Sequence, residues 1–335
     1  MDFVINIIIS LSPVFLFLIV LIFLDSFKLI KRRSLIFTIM IGAGIALVCY
    51  RINIWMLEYI VSSPDSYLRY IAPIVEELSK SLYIVYLIRF QKIGFMVDAA
   101  IYGFAIGAGF AFTENIYYLG VLQQASIFLW LIRGFGTAIM HGGNTAIFGV
   151  ISKNLSDRLS SNASYVYLPG LVLIMIIHSL FNHFLLPPIS STILQLMILP
   201  TVFTLVFKQS EQRTREWLGV NLDADMEVLN SLTTGNLSNS HIGEYLQSLK
   251  ERFAPEVIVD MLCLLRIHIE LSIKSKGVLM MREVGFEAPA DPEVQEKFAE
   301  IEYLEKSIGK TGKMAIHPFM HTSRQSLWQI YMLKK

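Results

Sequence analysis

Three ionisable residues lie close together in an otherwise apolar stretch of the chain. Glu76, Glu77 and Lys80 occur within Ile-Val-Glu-Glu-Leu-Ser-Lys. Charged side chains are unfavourable in hydrocarbon, so each is a candidate functional group unless a partner explains it. On a helix Glu76 and Lys80 are four residues apart and share a face, which predicts an ion pair between them. That pair leaves Glu77 without a structural explanation, and we expect the two carboxylates to do chemistry.

The next three apolar stretches also carry polar candidates. In chain order these are Glu114 with Asn115, then His141, then His178 with Asn182. His178 and Asn182 are four residues apart and share a helix face, whereas His183 lies about 140° away around the helix. We therefore expect His183 to lie outside the site that the others form.

Glutamates and histidines that lie at comparable depths in neighbouring apolar helices are suited to catalysing hydrolysis. A glutamate can act as general base on water, while histidines bind a metal or stabilise an oxyanion. The sequence contains no His-Glu-x-x-His, which excludes the zincin arrangement, and no Gly-x-Ser-x-Gly. Its two cysteines, Cys49 and Cys263, are too few for a cysteine-type zinc site.

The elements that carry these residues are predicted to cross a membrane. The chain is 54% hydrophobic and 16% charged, with a mean hydropathy of +0.55, and a bilayer core of about 30 Å needs roughly 20 apolar residues in a helix. Seven stretches qualify or nearly do so: Phe3–Leu24, Leu35–Ile60, Leu68–Phe90, Ile93–Leu119, Ala125–Ile151, Tyr165–Leu186 and Ile189–Phe207. The fold class expected is an all-α bundle of about seven spans followed by a cytoplasmic helical domain.

The distribution of charge predicts one domain boundary and an orientation. Residues 1–208 carry 13 Lys and Arg against 9 Asp and Glu, and residues 209–335 carry 15 against 18. We expect a transmembrane domain over 1–208 and a soluble domain over 209–335. The basic loops follow the odd-numbered spans: Lys28, Lys31, Arg32 and Arg33; Arg89 and Lys92; Lys153 and Arg158; Lys208, Arg213 and Arg215. By the positive-inside rule the N-terminus is outside and the C-terminal region is cytoplasmic.

The four polar motifs resemble those of the PrsW family of membrane proteases, which are related to the CAAX prenyl endopeptidases. The resemblance rests on Glu76-Glu77-x-x-Lys80, Phe110-x-x-x-Glu114-Asn115, His141 and His178-x-x-x-Asn182, one in each of four successive predicted spans. Each motif is short, but their order makes the combination specific. The resemblance covers about residues 1–208.

The resemblance implies an intramembrane endopeptidase of the cell membrane that cuts a membrane-anchored protein, such as an anti-sigma factor. It implies catalytic roles for Glu76, Glu77, Glu114, His141, His178 and Asn182, with Lys80 and Asn115 in support. In the prenyl endopeptidase relatives a glutamate and a second-motif histidine activate water, and the His-x-x-x-Asn pair stabilises the oxyanion. Glu114 stands here in place of that second-motif histidine.

The presence of Glu114 in place of the second-motif histidine leaves two mechanisms open. His141 could take the missing role, with Glu76 as base and no cofactor, which the His-x-x-x-Asn pair favours. Alternatively zinc or another divalent metal could be held by Glu77, Glu114, His141 and His178.

Two other classes of function compete with the protease. Glu76, Glu77, Lys80 and Glu114 could form the proton or ion path of a transporter, although the chain has no evident inverted repeat. A catalytically silent scaffold is the other alternative. The expected partners are the lipid bilayer and the protein substrate, with no nucleic acid.

The region from 209 onward is predicted to be helical. Pro255 and Asp291-Pro292 mark helix starts, and His317-Pro318 predicts a solvated loop that reaches His321. The apolar residues between Ser326 and Leu333 could dock on the bundle, the membrane or a second subunit. We expect this domain to regulate the protease or to mediate a homo-oligomer.

Overall fold

The computed structural model describes residues 2–25, 27, 29–60, 63–122, 124–159, 163–234, 241–286, 291–320, 330 and 333. These residues form helices and no strand, which confirms the all-α fold class. The chain divides into two compact units, Met1–Ser210 and Glu211–Lys335. The assignment of a protease domain to 1–208 and a cytoplasmic domain to 209–335 concerns function and location, and it stays a prediction.

The first unit is built from nine helices within the described ranges. They are α1 (Asp2–Phe23), α2 (Arg32–Tyr59), α3 (Pro64–Ser66), α4 (Ala72–Arg89), α5 (Met96–Val121), α6 (Ile127–Ile132), α7 (Ala138–Arg158), α8 (Leu168–Asn182) and α9 (Pro188–Thr233), the last of which continues into the second unit. Two π-helical turns, Tyr67–Ile71 and Arg133–Thr137, join α3 to α4 and α6 to α7. Such turns shift the helical register and are frequent at functional sites.

Five helices among the described residues are long and apolar enough to cross a membrane. They are Val4–Phe23, Arg32–Tyr59, Met96–Val121, Ser164–Asn182 and Pro188–Thr233. The other two predicted spans are also helical, as α3 to α4 and as α6 to α7. These two helices carry Glu76, Glu77, Lys80, Arg133 and His141, the polar residues that lower their hydropathy. The chain is an integral membrane protein, and seven spans remain the sequence-based prediction.

Helix α5 lies at the centre of the first unit and packs closely on α7. A Cβ added at Gly103 would lie 2.5 Å from the carbonyl oxygen of Thr145, and one at Gly107 would lie 2.2 Å from that of His141. Side-chain atoms do not approach a backbone so closely, so only glycine permits this packing, as at many helix contacts in membranes. The backbone of His141 is therefore positioned by direct contact with α5.

Helix α9 runs unbroken from Pro188 to Thr233 with Pro200 inside it, beyond the predicted end of the apolar stretch at Phe207. Proline removes one backbone hydrogen bond, which transmembrane helices tolerate when neighbouring groups compensate. The polar residues after Lys208 end the apolar segment without ending the helix.

The second unit contains the end of α9 and three further helices, α10 (His241–Ser248), α11 (Pro255–Glu283) and α12 (Pro292–Ile316). The predicted starts of α11 and α12 are confirmed, and the Asp291 carboxylate caps α12 by accepting from the Glu293 amide at 2.9 Å. Their apolar faces share one core that includes Met261, Leu264, Phe298 and Leu304. A short 3₁₀ turn, His317–Phe319, stands where a loop was predicted. His321 and most of the segment from Ser326 to Leu333 lie outside the described residues.

Candidate active site

A cavity of 510 Å³ opens between the helices of the first unit and brings most of the candidate residues together. Glu76 of α4, Glu114 of α5, His141 of α7 and His178 of α8 all line it. The rings of the two histidines lie 5.0 Å apart, edge to face. Four stretches that are distant in sequence therefore meet in one place.

His178 is held by Glu77, which is fully buried next to the cavity. The Nδ1 atom of His178 lies 2.7 Å from Oε1 of Glu77, and its Nε2 atom lies 4.0 Å from Oε2 of Glu76. A carboxylate on one imidazole nitrogen directs the lone pair of the other nitrogen outward, as around metal-binding histidines. Glu77 thus orients His178 toward Glu76.

Lys80 pairs with Glu77 and not with Glu76, so the ion pair predicted from the i, i+4 spacing is wrong. Its Nζ atom lies 2.8 Å from Oε1 of Glu77, and both side chains are 0% exposed. Glu77, three residues before Lys80, lies on the inner side of α4, whereas the Glu76 side chain is 13% exposed toward the cavity. The buried ammonium therefore compensates the deeper carboxylate, and the Glu76 carboxyl group lies at the cavity surface.

His141 lies between Lys80 and Glu114. The Lys80 ammonium lies 3.1 Å from His141 Nδ1, and Glu114 Oε2 lies 3.1 Å from Nε2. An ammonium group only donates, so Nδ1 accepts, and Nε2 then carries the proton that is donated to Glu114. The two partners thereby fix one neutral tautomer of His141.

Two residues that the sequence analysis did not select position Glu76. Asn53 of α2 donates from Nδ2 to Oε1 of Glu76 at 3.3 Å, and the hydroxyl of Tyr67 donates to Oδ1 of Asn53 at 2.5 Å. The tyrosine fixes the orientation of the amide, and the amide holds one oxygen of the carboxylate. Asn53 could have been found as a polar residue within a predicted span, whereas nothing in the sequence marks Tyr67.

The structure gives Asn182 a different partner from the one expected. Asn182 lines the cavity, but its Nδ2 donates to the carbonyl oxygen of Leu68 at 2.8 Å, and Ser179 Oγ donates to that of Arg69 at 2.7 Å. Both carbonyls belong to the π-helical turn before α4. These bonds join α8 to the helix that carries Glu76.

Two of the remaining residues lie at the edges of the site. Asn115 is buried and accepts from Nε of Arg133 at 3.0 Å, while it donates to the carbonyl oxygen of Ser10 at 2.8 Å. The Nδ1 atom of His183 lies 2.6 Å from the Ser179 carbonyl oxygen. His183 does not belong to the cavity lining.

Glu76, His141 and His178 form a group that could hold a metal ion. Each offers one ligand atom, and the three atoms lie within 4.8 Å of one another. This group differs from the predicted set of Glu77, Glu114, His141 and His178, because it includes Glu76, while Glu77 and Glu114 form hydrogen bonds with the histidines. Two histidines and one glutamate are a donor set found at catalytic zinc sites.

The fold and this cluster define a class, that of multi-span helical membrane proteins with carboxylates and histidines in a buried cavity. Residues 31–207 match the model of a family described as PrsW family intramembrane metalloprotease. That match covers more than half of the chain, so the chain belongs to the PrsW family and is a membrane protease, a hydrolase. No curated protein and no solved structure matches the chain.

Proposed function

We propose that this chain is a metal-dependent endopeptidase that cuts a membrane-anchored protein in the cavity between α4, α5, α7 and α8. One observation carries the proposal: ligand atoms of Glu76, His141 and His178 lie within 4.8 Å of one another on the cavity wall. The description of the matching family as a metalloprotease family supports the same conclusion. Together they favour the metal alternative over the cofactor-free reaction that the sequence motifs favoured.

The residues present fit a divalent cation. The cluster contains more carboxyl groups than cationic side chains. The carboxyl groups are those of Glu76, Glu77 and Glu114, and the cationic side chains paired with them are Lys80 and Arg133. With neutral histidines and all three carboxyl groups ionised, the cluster carries one net negative charge, which favours a bound cation. His178 already has the carboxylate partner on Nδ1 that metal-binding histidines commonly have. His141 would exchange its contact with Glu114 or with Lys80 for the metal.

A divalent metal held there would activate water and polarise the substrate carbonyl. Among the three carboxyl groups we assign the proton transfer to Glu114, because it lines the cavity, is 26% exposed and is not one of the three proposed ligands. Glu114 accepts one proton from the attacking water, whose oxygen bonds to the carbonyl carbon. As the C–N bond breaks, the same carboxyl group returns the proton to the leaving amine. In the metal-free alternative Glu76 is the base, held by Asn53.

The substrate class follows from the location of the site. A peptide bond that reaches a cavity inside a helical membrane bundle belongs to a protein anchored in the same membrane, near a point where its own helix is unwound. A regulator of the anti-sigma-factor type is the specific candidate, which rests on the family resemblance. We place the enzyme in the cell membrane with the N-terminus outside and the second unit in the cytoplasm, on the alternation of basic loops.

Reconstitution tests the proposal. The purified full chain is placed in liposomes with a panel of single-span proteins, and products are identified by mass spectrometry. We expect cleavage by the wild type and none by Glu76→Gln or His178→Ala. His183→Ala is the matched histidine control and keeps activity, because its partner is a backbone carbonyl outside the cavity. Equal loss in His183→Ala and His178→Ala would show that the site is assigned to the wrong face of α8.

The transporter remains the alternative class. It uses Glu76, Glu77, Lys80 and Glu114 as a proton path, and the family match supports the protease instead. The same liposomes test it: pH-driven uptake or proton flux with no cleavage would favour the transporter.

A further inference from the structure

Asn182 has no role in the proposed reaction, although it belongs to the motif that also supplies His178. Its Nδ2 atom donates to the carbonyl oxygen of Leu68 at 2.8 Å, and the hydroxyl of Ser179 donates to that of Arg69 at 2.7 Å. Ser179 directly follows His178, and Asn182 lies about one turn of α8 beyond it. The part of α8 that carries His178 is therefore fastened to the π-helical turn before α4.

The sequence of this turn explains why two of its carbonyl oxygens need donors from another helix. In a regular α-helix the carbonyl oxygens of Leu68 and Arg69 would each accept from the amide four residues later. For Leu68 that amide is Ala72, which bonds to the carbonyl oxygen of Tyr67 instead, as the π-helical turn requires. For Arg69 it is Pro73, which has no N–H group. Backbone groups in a membrane bundle must find their partners within the protein, so the side chains of α8 complete the turn.

The same turn reaches Glu76 through the side chain of Tyr67. Tyr67 is fully buried, and its hydroxyl donates to Oδ1 of Asn53 at 2.5 Å. Because Oδ1 accepts the tyrosine proton, the amide nitrogen of Asn53 faces Oε1 of Glu76, to which it donates at 3.3 Å. The other carboxylate oxygen, Oε2, lies 4.0 Å from Nε2 of His178. Asn53 therefore engages one oxygen of Glu76 and leaves the oxygen next to His178 for the metal.

These contacts join the two proposed ligands along a closed path. On one side the path runs from His178 along α8 to the turn, and from the turn through Tyr67 and Asn53 to Glu76. On the other side Glu77, the residue after Glu76, is bonded to Nδ1 of His178 at 2.7 Å. Contacts that fix the ligand side chains raise the affinity of a metal site, because the ligands are already in position when the ion binds.

We propose that the π-helical turn before α4 is a positioning element that sets the separation between the ligands Glu76 and His178. Asn182 is the positioning residue that holds the turn on α8, and Tyr67 and Asn53 are those that carry its position to Glu76. This inference rests on the proposed metal site. In this role none of the three positioning residues takes part in making or breaking a bond, and all three act before the substrate binds.

The oxyanion role that the family resemblance implies for Asn182 differs from this one in a measurement made without substrate. Competition with a fluorescent chelator measures the affinity and the number of Zn²⁺ sites in the purified full chain. For a positioning residue we expect Asn182→Leu to lower the Zn²⁺ affinity about 10- to 100-fold. An oxyanion donor acts only in the transition state, so its loss would leave the affinity unchanged and lower kcat about 100- to 1,000-fold.

The path through Tyr67 is tested by removing one hydroxyl group. Tyr67→Phe should lower the Zn²⁺ affinity about three- to tenfold, the effect of one hydrogen bond. Tyr70→Phe is the matched control and keeps wild-type affinity, because Tyr70 lies on the same turn with an exposed side chain. Asn53→Leu should lower the affinity more than Tyr67→Phe does. Because Tyr67 acts through Asn53, adding Tyr67→Phe to Asn53→Leu should lower the affinity no further.

Three results would overturn the inference while the proposed metal site stands. Asn182→Leu with wild-type Zn²⁺ affinity and a reduced kcat would return Asn182 to the oxyanion role. Fewer Zn²⁺ sites of unchanged affinity in the variants would show that these contacts only stabilise the fold. Equal losses from Tyr67→Phe with and without Asn53→Leu would show that Tyr67 does not act through Asn53. A wild type that binds no divalent metal would instead overturn the proposed metal site and this inference together.

Discussion

The Nδ1 atom of His178 lies 2.7 Å from Oε1 of Glu77, a carboxylate with no solvent exposure. We therefore propose that Glu77 orients a histidine instead of serving as a ligand or base, and the same oxygen accepts from Lys80 at 2.8 Å. Its other oxygen, Oε2, is buried without a hydrogen-bond partner in the structure. The adjacent glutamates thus differ in position, since Glu76 lines the cavity and Glu77 is fully buried beside it.

This relationship predicts the effect of Glu77→Gln. The amide keeps the shape and an acceptor oxygen but loses the charge that makes His178 a strong ligand, so we expect metal affinity to fall about 10- to 100-fold. Competition titration with a fluorescent chelator measures the affinity. Unchanged affinity with lost activity would assign Glu77 a direct chemical role instead.

The corrected ion pair is tested by removing Lys80. In Lys80→Met the buried Glu77 charge loses its compensation, and breaking such a pair costs about 3–5 kcal/mol of unfolding free energy. Adding Glu77→Gln to Lys80→Met should restore part of the stability, measured by SDS-induced unfolding of the metal-free protein. Adding Glu76→Gln should not. A larger recovery with Glu76→Gln would reinstate the pairing predicted from spacing.

The close contact of α5 with α7 predicts that Gly107→Ala disturbs the site by displacing the backbone of His141. The new Cβ would meet the His141 carbonyl oxygen at 2.2 Å, so α7 and the imidazole must move. We expect a loss of about 1–3 kcal/mol in stability together with weaker metal binding. Gly120→Ala on the same helix is the control, since nothing lies within 4 Å of its Cβ. Equal effects of the two substitutions would contradict the packing described.

The orientation is tested by labelling. Single cysteines at positions 32 and 188 are introduced into a chain whose Cys49 and Cys263 are replaced, and intact cells are treated with an impermeant reagent. Because the basic loops alternate, position 188 should label from outside and position 32 should not. Labelling at position 32 but not at position 188 would show that the orientation in the membrane is the opposite of the predicted one.

The helical membrane fold and the meeting of the polar motifs have different origins in the sequence. Apolar length and composition predict helices directly, because a bilayer has few other solutions for the backbone. That Glu76, His141 and His178 approach one another depends on glycine contacts such as that of Gly107 with α7. Four motifs in order predicted a common site but not which carboxylate lies next to which histidine.

The wrong prediction for the partner of Lys80 has one physical cause. Positions i+3 and i+4 on a helix are both within reach, so spacing alone cannot decide whether Lys80 pairs with Glu77 or Glu76. The partner is decided by burial, which belongs to the packed bundle. In the same way the amide of Asn182 is engaged by Leu68, a contact between distant helices that no local pattern encodes.

Bound metal in the purified protein is the most direct test of the central claim. Elemental analysis of the wild type, Glu76→Gln and His178→Ala, each purified without chelator, measures divalent metal per chain. We predict one equivalent in the wild type, with a strong reduction in both variants, and loss and return of cleavage when the metal is removed and restored. A wild type that contains no divalent metal and cleaves its substrate at full rate after exhaustive chelation would contradict the proposal.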